Sequence, residues 1–326
     1  MVAAHLDTVF PAETNVAVRR EGPVLRGPGV GDNCRGLAVL TAIARAMRDA
    51  RVVTPGTITF VANVGEEGLG DLRGVKALFG DTLKGQVDRF VSIDGGGVNV
   101  TNVSVGSLRY RVTFKGPGGH SFGACGLGRG PKSAAEDSFG AFGLANPANA
   151  LGRAVAKISE FKVPSRPLTT FNVGRIGGGT SVNAIPFEAW MEVDLRSSAP
   201  AALKALDADL QRAIDEAVVE ENRRWGRPGM VAVEKTLVGD RPAGALADTA
   251  PIVQAVRAAG RALGLTVPLS EGSTDANLPM SLGIPAVTIG GGGDGHDAHA
   301  LTESFDTTDA WRGAQHALLV TITLAR

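Results

Sequence analysis

Four apolar runs and two alternating ones set the frame of this chain. Residues 2–5, 57–64, 89–93 and 285–289 are near-continuous apolar stretches, which predicts strands buried on both faces. Between the first two, Leu37, Leu40, Thr41, Ala44 and Met47 recur at spacings of three and four and predict a helix; another is predicted over about residues 250–263. Such strands separated by helices predict the α/β class, with a mostly parallel central sheet flanked by helices. The middle of the chain follows a different period. Apolar and polar residues alternate over Leu108–Lys115, and over Phe187–Arg196 apart from Trp190, which predicts strands with one buried and one wet face. Two amphipathic helices accompany them. One opens at Asn146-Pro147, an N-cap followed by proline at the first helical position, and the other carries Leu203, Leu206, Leu210, Ile214 and Val218. The expected organisation is a discontinuous α/β domain from residues 1–105 and 237–326, with an α+β domain, 106–236, inserted into it.

A length of 326 residues fits two domains at about 150 residues each. The 33 basic residues balance 33 acidic ones, which argues against a nucleic-acid partner and against a polybasic membrane anchor. No apolar run reaches the roughly 18 residues of a membrane-spanning helix. The two cysteines, Cys34 and Cys125, cannot build a disulfide framework or a four-cysteine zinc site. No leader with a charged start and an apolar stretch is visible, so a cytoplasmic location is expected. The chain opens inside a strand, which predicts that an N-terminal segment is missing and that this chain is poorly stable as it stands. Ser121–Leu127 recurs as Ser138–Leu144, offset by 17 residues, and the polar stretch between the copies is expected to form a surface loop.

Chemistry-bearing residues gather where strands end. His5 and Asp7 follow the first strand, and Asp32 precedes the first helix. Glu66 and Glu67 follow the second strand, Asp94 the third, and His299 and Glu303 come after the fourth and its glycine run. In an open parallel sheet, ligands bind at the carboxyl ends of strands. Singly, each has a plainer reading: an N-cap for Asp32, a solvated pair for Glu66-Glu67, a turn for Asp94, a packed histidine for His5. Together, two histidines and three carboxylates suit two zinc ions, which take nitrogen and oxygen ligands, with one carboxylate bridging. A further carboxylate must stay off the metals to take a proton from water, and adjacent Glu66 and Glu67 can divide those tasks.

His5-Leu6-Asp7, Gly31-Asp32-Asn33, Gly65-Glu66-Glu67-Gly68, Asp94 and His299-Ala300-Leu301-Thr302-Glu303 resemble, in order and spacing, the metal-site motifs of the co-catalytic di-zinc exopeptidase and deacylase family, peptidase T-like members above all. Gly116–Ser121 and Ser181–Pro186 resemble the histidine and asparagine motifs of that family's inserted domain. The resemblance implies a mostly parallel metal-binding domain, a ferredoxin-like lid and dimerisation domain, and two zinc ions per chain, with cobalt or manganese as alternatives. It implies that His5 and Asp94 hold one ion, Glu67 and His299 the other, and Asp32 both. Asp7 would orient His5, Glu66 would be the general base, and His120 would stabilise the oxyanion of a partner subunit. Asn183 would position substrate, and Arg196 would bind an anion or form a surface ion pair. The expected enzyme is a metallopeptidase on short peptides, working as a homodimer. Aspartate at position 94 goes, in that family, with aminopeptidases and dipeptidases, whereas glutamate goes with carboxypeptidases and deacylases, which remain the alternative.

Two rival motifs are weaker. Gly119-His120-Ser121-Phe122-Gly123 fits a serine-hydrolase elbow, with Asp275 and His299 following in order, but the elbow needs a central strand and a helix. Gly290-x-Gly292-x-x-Gly295 fits a dinucleotide fingerprint but lacks a following helix. His296 competes with His299 as a ligand; His316 and Cys34 are expected to be packed residues.

Overall fold

The computed structural model describes residues 1–121, 144–226 and 228–325; the seven-residue repeat and the loop expected within it lie almost wholly outside these. The chain forms two compact units, Met1–Gly106 with Arg241–Arg326, and Ser107–Asp240.

The discontinuous unit is built on a seven-stranded sheet. Its centre is Phe90–Ile93, flanked by Val2–His5 and Ala286–Ile289, all parallel; Phe60–Asn63 lies outside Val2–His5, again parallel. Val100–Ser104 runs antiparallel to Ala286–Ile289 and pairs with Leu269–Gly272 and Gly244–Ala245. Alternation along the buried strands sorts their side chains into two cores. Val2, Ala4, Val91, Ile93, Val287 and Ile289 face the helices Cys34–Asp49, Pro251–Ala262 and Trp311–Leu324. Ala3, Phe90 and Ala286 face Leu72, Val75, Phe79 and Met280 on the opposite side. The helix expected after the first strand is present, but its buried face is Gly36, Val39, Leu40, Ile43 and Met47. Thr41 points to solvent and bonds back to Leu37, because the apolar Val39 and Ile43 displace it from the core stripe.

A second, four-stranded sheet of very short strands, Arg19–Glu21, Val24–Arg26, Asp294–His296 and Ser304–Asp306, belongs to the same unit.

The inserted unit runs strand, helix, strand, strand, helix, strand. Its sheet order is Ala232–Arg241, Gly106–Lys115, Glu188–Ser197, Thr169–Gly178, the split βαβ arrangement of ferredoxin-like folds. Helices Pro147–Ser159 and Pro200–Arg224 pack on the inward face through Leu151, Ile158, Leu206, Leu210 and Ile214 against Met191, Val193 and Leu195. Asn146 caps the first through its side chain, which accepts from the Ala148 amide at 2.8 Å. Trp190, the exception to the alternation, stays on the outer face with Arg111 stacked 3.5 Å above its ring.

Candidate metal centre

Strand ends deliver the acidic and histidine side chains to one edge of the parallel sheet. His5 closes its strand and is 1% exposed. Its Nε2 lies 3.1 Å from Asp32 Oδ1 and 3.6 Å from Asp94 Oδ1. His299 approaches from the other side, its Nε2 3.0 Å from Asp32 Oδ2 and 3.2 Å from Glu67 Oε1. The two oxygens of Asp32 thus face two different histidines. Ligand atoms of His5, Asp32 and Asp94 lie within 4.8 Å of one another, as do those of Asp32, Glu67 and His299, and those of His5, Glu66 and Glu67. Asp32 belongs to the first two groups. His296 belongs to none and sits 3.5 Å from Asp294 on an exposed strand.

The polar atoms fit cations. His5 Nε2 and Asp32 Oδ1 are buried yet make no hydrogen bond, even 3.1 Å apart, so both present lone pairs or charge to a common point. Burial alone would push the His5 imidazole down; the adjoining carboxylates of Asp32 and Asp94 outweigh this and raise its pKa to about 12. Carboxylates that favour positive charge at this point favour a divalent cation there as well. Burial also pushes the Asp32 carboxyl up, but His5 and His299 hold it below the usual carboxylate range. Glu67 is raised by burial and then by Asp32. Glu66, 5% exposed, is pushed up to about 8 by burial and by Asp94, against the opposing charges of Arg241 and His5.

Loops carrying these groups are tied down by carboxylates. Asp7 accepts from the amides of Gly65 at 2.7 Å, Glu66 at 3.3 Å and Glu67 at 2.9 Å. The His5 ring is held instead by the Asp7 main chain, with Nδ1 2.9 Å from its carbonyl and 3.9 Å from its carboxylate. Glu303, 1% exposed, accepts from Gly29 at 2.7 Å, Gly31 at 2.8 Å and Asp32 at 2.9 Å. Gly29 adopts φ 77°, where a side chain would be strained, so that its amide can join the others. His299 itself has φ 69°, a costly backbone for a non-glycine residue. Sequence reasoning missed Arg241, whose guanidinium is buried against Glu66. Asp275, which the sequence offered only to a serine-hydrolase order, is fully buried, bonded by Asn63 at 2.8 Å and raised to about 6, chiefly by burial.

His120 and Asn183 are in the inserted unit, His120 on a short strand and Asn183 in the turn that leads into the strand paired with it. His120 pairs with Ala184, and the Ser121 amide donates to the Asn183 carbonyl at 2.9 Å. Gly119–His120 is thus a short antiparallel strand, the wrong setting for a nucleophile elbow at Ser121. A strand, Asp294–His296, replaces the helix that a dinucleotide fingerprint requires. Arg196 forms an ion pair with Asp194 at 2.7 Å. Cys34 is exposed rather than packed, because it opens its helix on the outward side. His316 is packed as expected, 2.9 Å from the Val256 carbonyl.

The model of peptidase family M20/M25/M40 matches residues 1–321. The chain belongs to this family. M20 peptidases bind two metals, and this family member is a metal-dependent hydrolase. An uncharacterized protein of Bacillus subtilis, YqjE, is 25% identical over 294 residues, which cover 88% of this chain and 71% of that protein. The aminopeptidase PepT of Bacillus cereus superposes with a TM-score of 0.72 at 21% identity, covering 100% of this chain and 80% of the other. A tripeptidase of Staphylococcus aureus gives 0.75 at 22% identity, with the same coverage. The M20 fold accounts for both units. Among the described residues no helix is long and apolar enough to cross a membrane.

Proposed function

We propose that this M20 hydrolase cleaves short peptides from a free amino end, using two divalent cations, zinc first, held by His5 and Asp94 on one side, Glu67 and His299 on the other, and Asp32 between them. The observation that carries this is Asp32, with one oxygen 3.1 Å from His5 and the other 3.0 Å from His299. Bound there, the cations would supply positive charge beside the scissile carbonyl and make a nearby water more acidic. Glu66 takes the water's proton on a carboxylate oxygen and returns it to the departing amine. Asp7 and Glu303 hold the loops that carry Asp32, Glu66 and Glu67 through their amides. His120 and Asn183 are assigned to the oxyanion and to substrate, His120 acting across a homodimer formed by the inserted unit. Arg196 is the weakest assignment, since Asp194 already engages it.

Asp94 supports the preference for amino ends, as aspartate there goes with aminopeptidases and dipeptidases in the family the motifs resemble. The names of the aminopeptidase and tripeptidase of similar fold agree with it. Competition between unblocked di- or tripeptides and their N-acetylated forms, with metal content measured on the same enzyme, tests the reading. Faster cleavage of the acetylated compounds moves the assignment to deacylation; fewer than two ions per chain removes the paired-cation site.

A further inference from the structure

Arg241 is joined to the second unit's last strand in sequence but belongs to the metal-bearing unit. It is 4% exposed. Its Nη1 donates to Glu66 Oε1 at 3.2 Å and lies 3.4 Å from Ser273 Oγ. Its Nη2 donates to the main-chain carbonyl of Glu66 and lies 3.5 Å from the Gly68 carbonyl. One planar guanidinium therefore grips the side chain and the backbone of the same residue. A lysine, with a single point of charge, cannot reproduce that fork. Burying such a pair is a poor route to stability, because desolvating two charges offsets most of their attraction, and apolar residues of similar volume serve as well. The pair's use is therefore to be sought in the group it orients.

That group is the carboxylate next to the ligands. A Glu66 oxygen lies within 4.8 Å of a His5 ring nitrogen and a Glu67 oxygen. With Oε1 engaged by Arg241, Oε2 is the oxygen left to exchange a proton. Resting on the reading of Glu66 as general base, we propose that Arg241 is a positioning residue: it fixes the torsions of Glu66 so that Oε2 faces the water to be deprotonated, without itself touching substrate.

The test compares Arg241→Met, Arg241→Lys, Glu66→Gln, Glu66→Asp and Arg241→Met/Glu66→Asp on an unblocked tripeptide, with metal stoichiometry and Tm recorded for each. Arg241→Met should keep both ions, leave KM within a few-fold, and lower kcat by about 10- to 100-fold, the scale of a misplaced reacting group. Arg241→Lys should recover part of that loss. In Glu66→Asp, whose shorter side chain cannot reach the guanidinium, adding Arg241→Met should lower kcat little further. Wild-type kcat in Arg241→Met, or a loss fully additive with Glu66→Asp, overturns the proposal. If Arg241→Met is unfolded by its Tm, Arg241→Lys keeps the buried charge and decides the matter: reduced kcat at unchanged KM supports the fork, and wild-type kcat refutes it. Turnover by Glu66→Gln would instead overturn the base assignment, which is a separate failure from an inert Glu66→Gln beside a fully active Arg241→Met.

Discussion

At the scale of single residues, the proposed mechanism separates side chains that would hold cations from one that would move a proton. Asp32→Ala should lose both ions, because its two oxygens serve both histidines, whereas Glu66→Gln should retain them and lose about 100-fold or more in kcat. Metal analysis and steady-state kinetics on the same preparations check this. His316 gives a pH-dependent case away from the catalytic groups. Burial holds its pKa below the ordinary 6.5, opposed by its bond to the Val256 carbonyl. The unfolded chain therefore binds this proton first as the pH falls, so its contribution is fully present above about 6.5 and is lost on acidification through the lowered folded value. The stability of the wild type relative to His316→Gln should fall between about pH 7.5 and about 5.5, measured by denaturant titration. A relative stability that rises over that interval would contradict the sign.

At the scale of elements, close approach at strand-to-helix turns sets what the sequence tolerates. A Cβ on Gly36, in the first turn of Cys34–Asp49, would lie 2.3 Å from Asn33 Oδ1 and 2.4 Å from the Ile93 carbonyl. Asn33 is both the cap of that helix and a donor to Ile93 at 2.9 Å, so it has no room to yield. Gly36→Ala should therefore destabilise by roughly 1–3 kcal/mol, read from thermal unfolding. Patterns at this scale explain what was readable from the chain. Val2–His5, Phe90–Ile93 and Ala286–Ile289 are apolar because both faces are covered, and Glu188–Ser197 alternates because one face is wet; each physical setting leaves a period. Thr169–Gly178 leaves none, since it is rich in glycine and threonine and mostly exposed. Val100–Ser104 hides because its buried positions include Thr101, Asn102 and Ser104. The three-residue strands of the second sheet are too short for any period to register. The acidic and histidine motifs that the structure brings together were legible because they sit near strand ends in a fixed order. Arg241 was not: its contact with Glu66 spans 175 positions and depends on a tertiary approach that no local pattern encodes.

At the scale of the whole molecule, sites and units are tied by chain order. If His120 works across a dimer, mixing inactive His120→Ala with inactive Glu66→Gln should restore activity in hybrid dimers, and proven subunit exchange without recovery would refute the shared site. Chain order has another consequence. The strand Ala286–Ile289 lies between Phe90–Ile93 and Val100–Ser104 in the parallel sheet, yet it is separated from both by the entire Ser107–Asp240 unit. A ribosome therefore releases Met1–Gly106 long before the strand that completes its sheet has been translated. The inserted unit, contiguous in sequence, has everything it needs first, and the usual order of folding from the amino end is inverted. On nascent chains stalled shortly after Asp240 has cleared the exit tunnel, limited proteolysis should spare the segment most recently synthesised and digest the older one. The edge of Phe90–Ile93, waiting through that interval for Ala286–Ile289, is where a chaperone would have to bind.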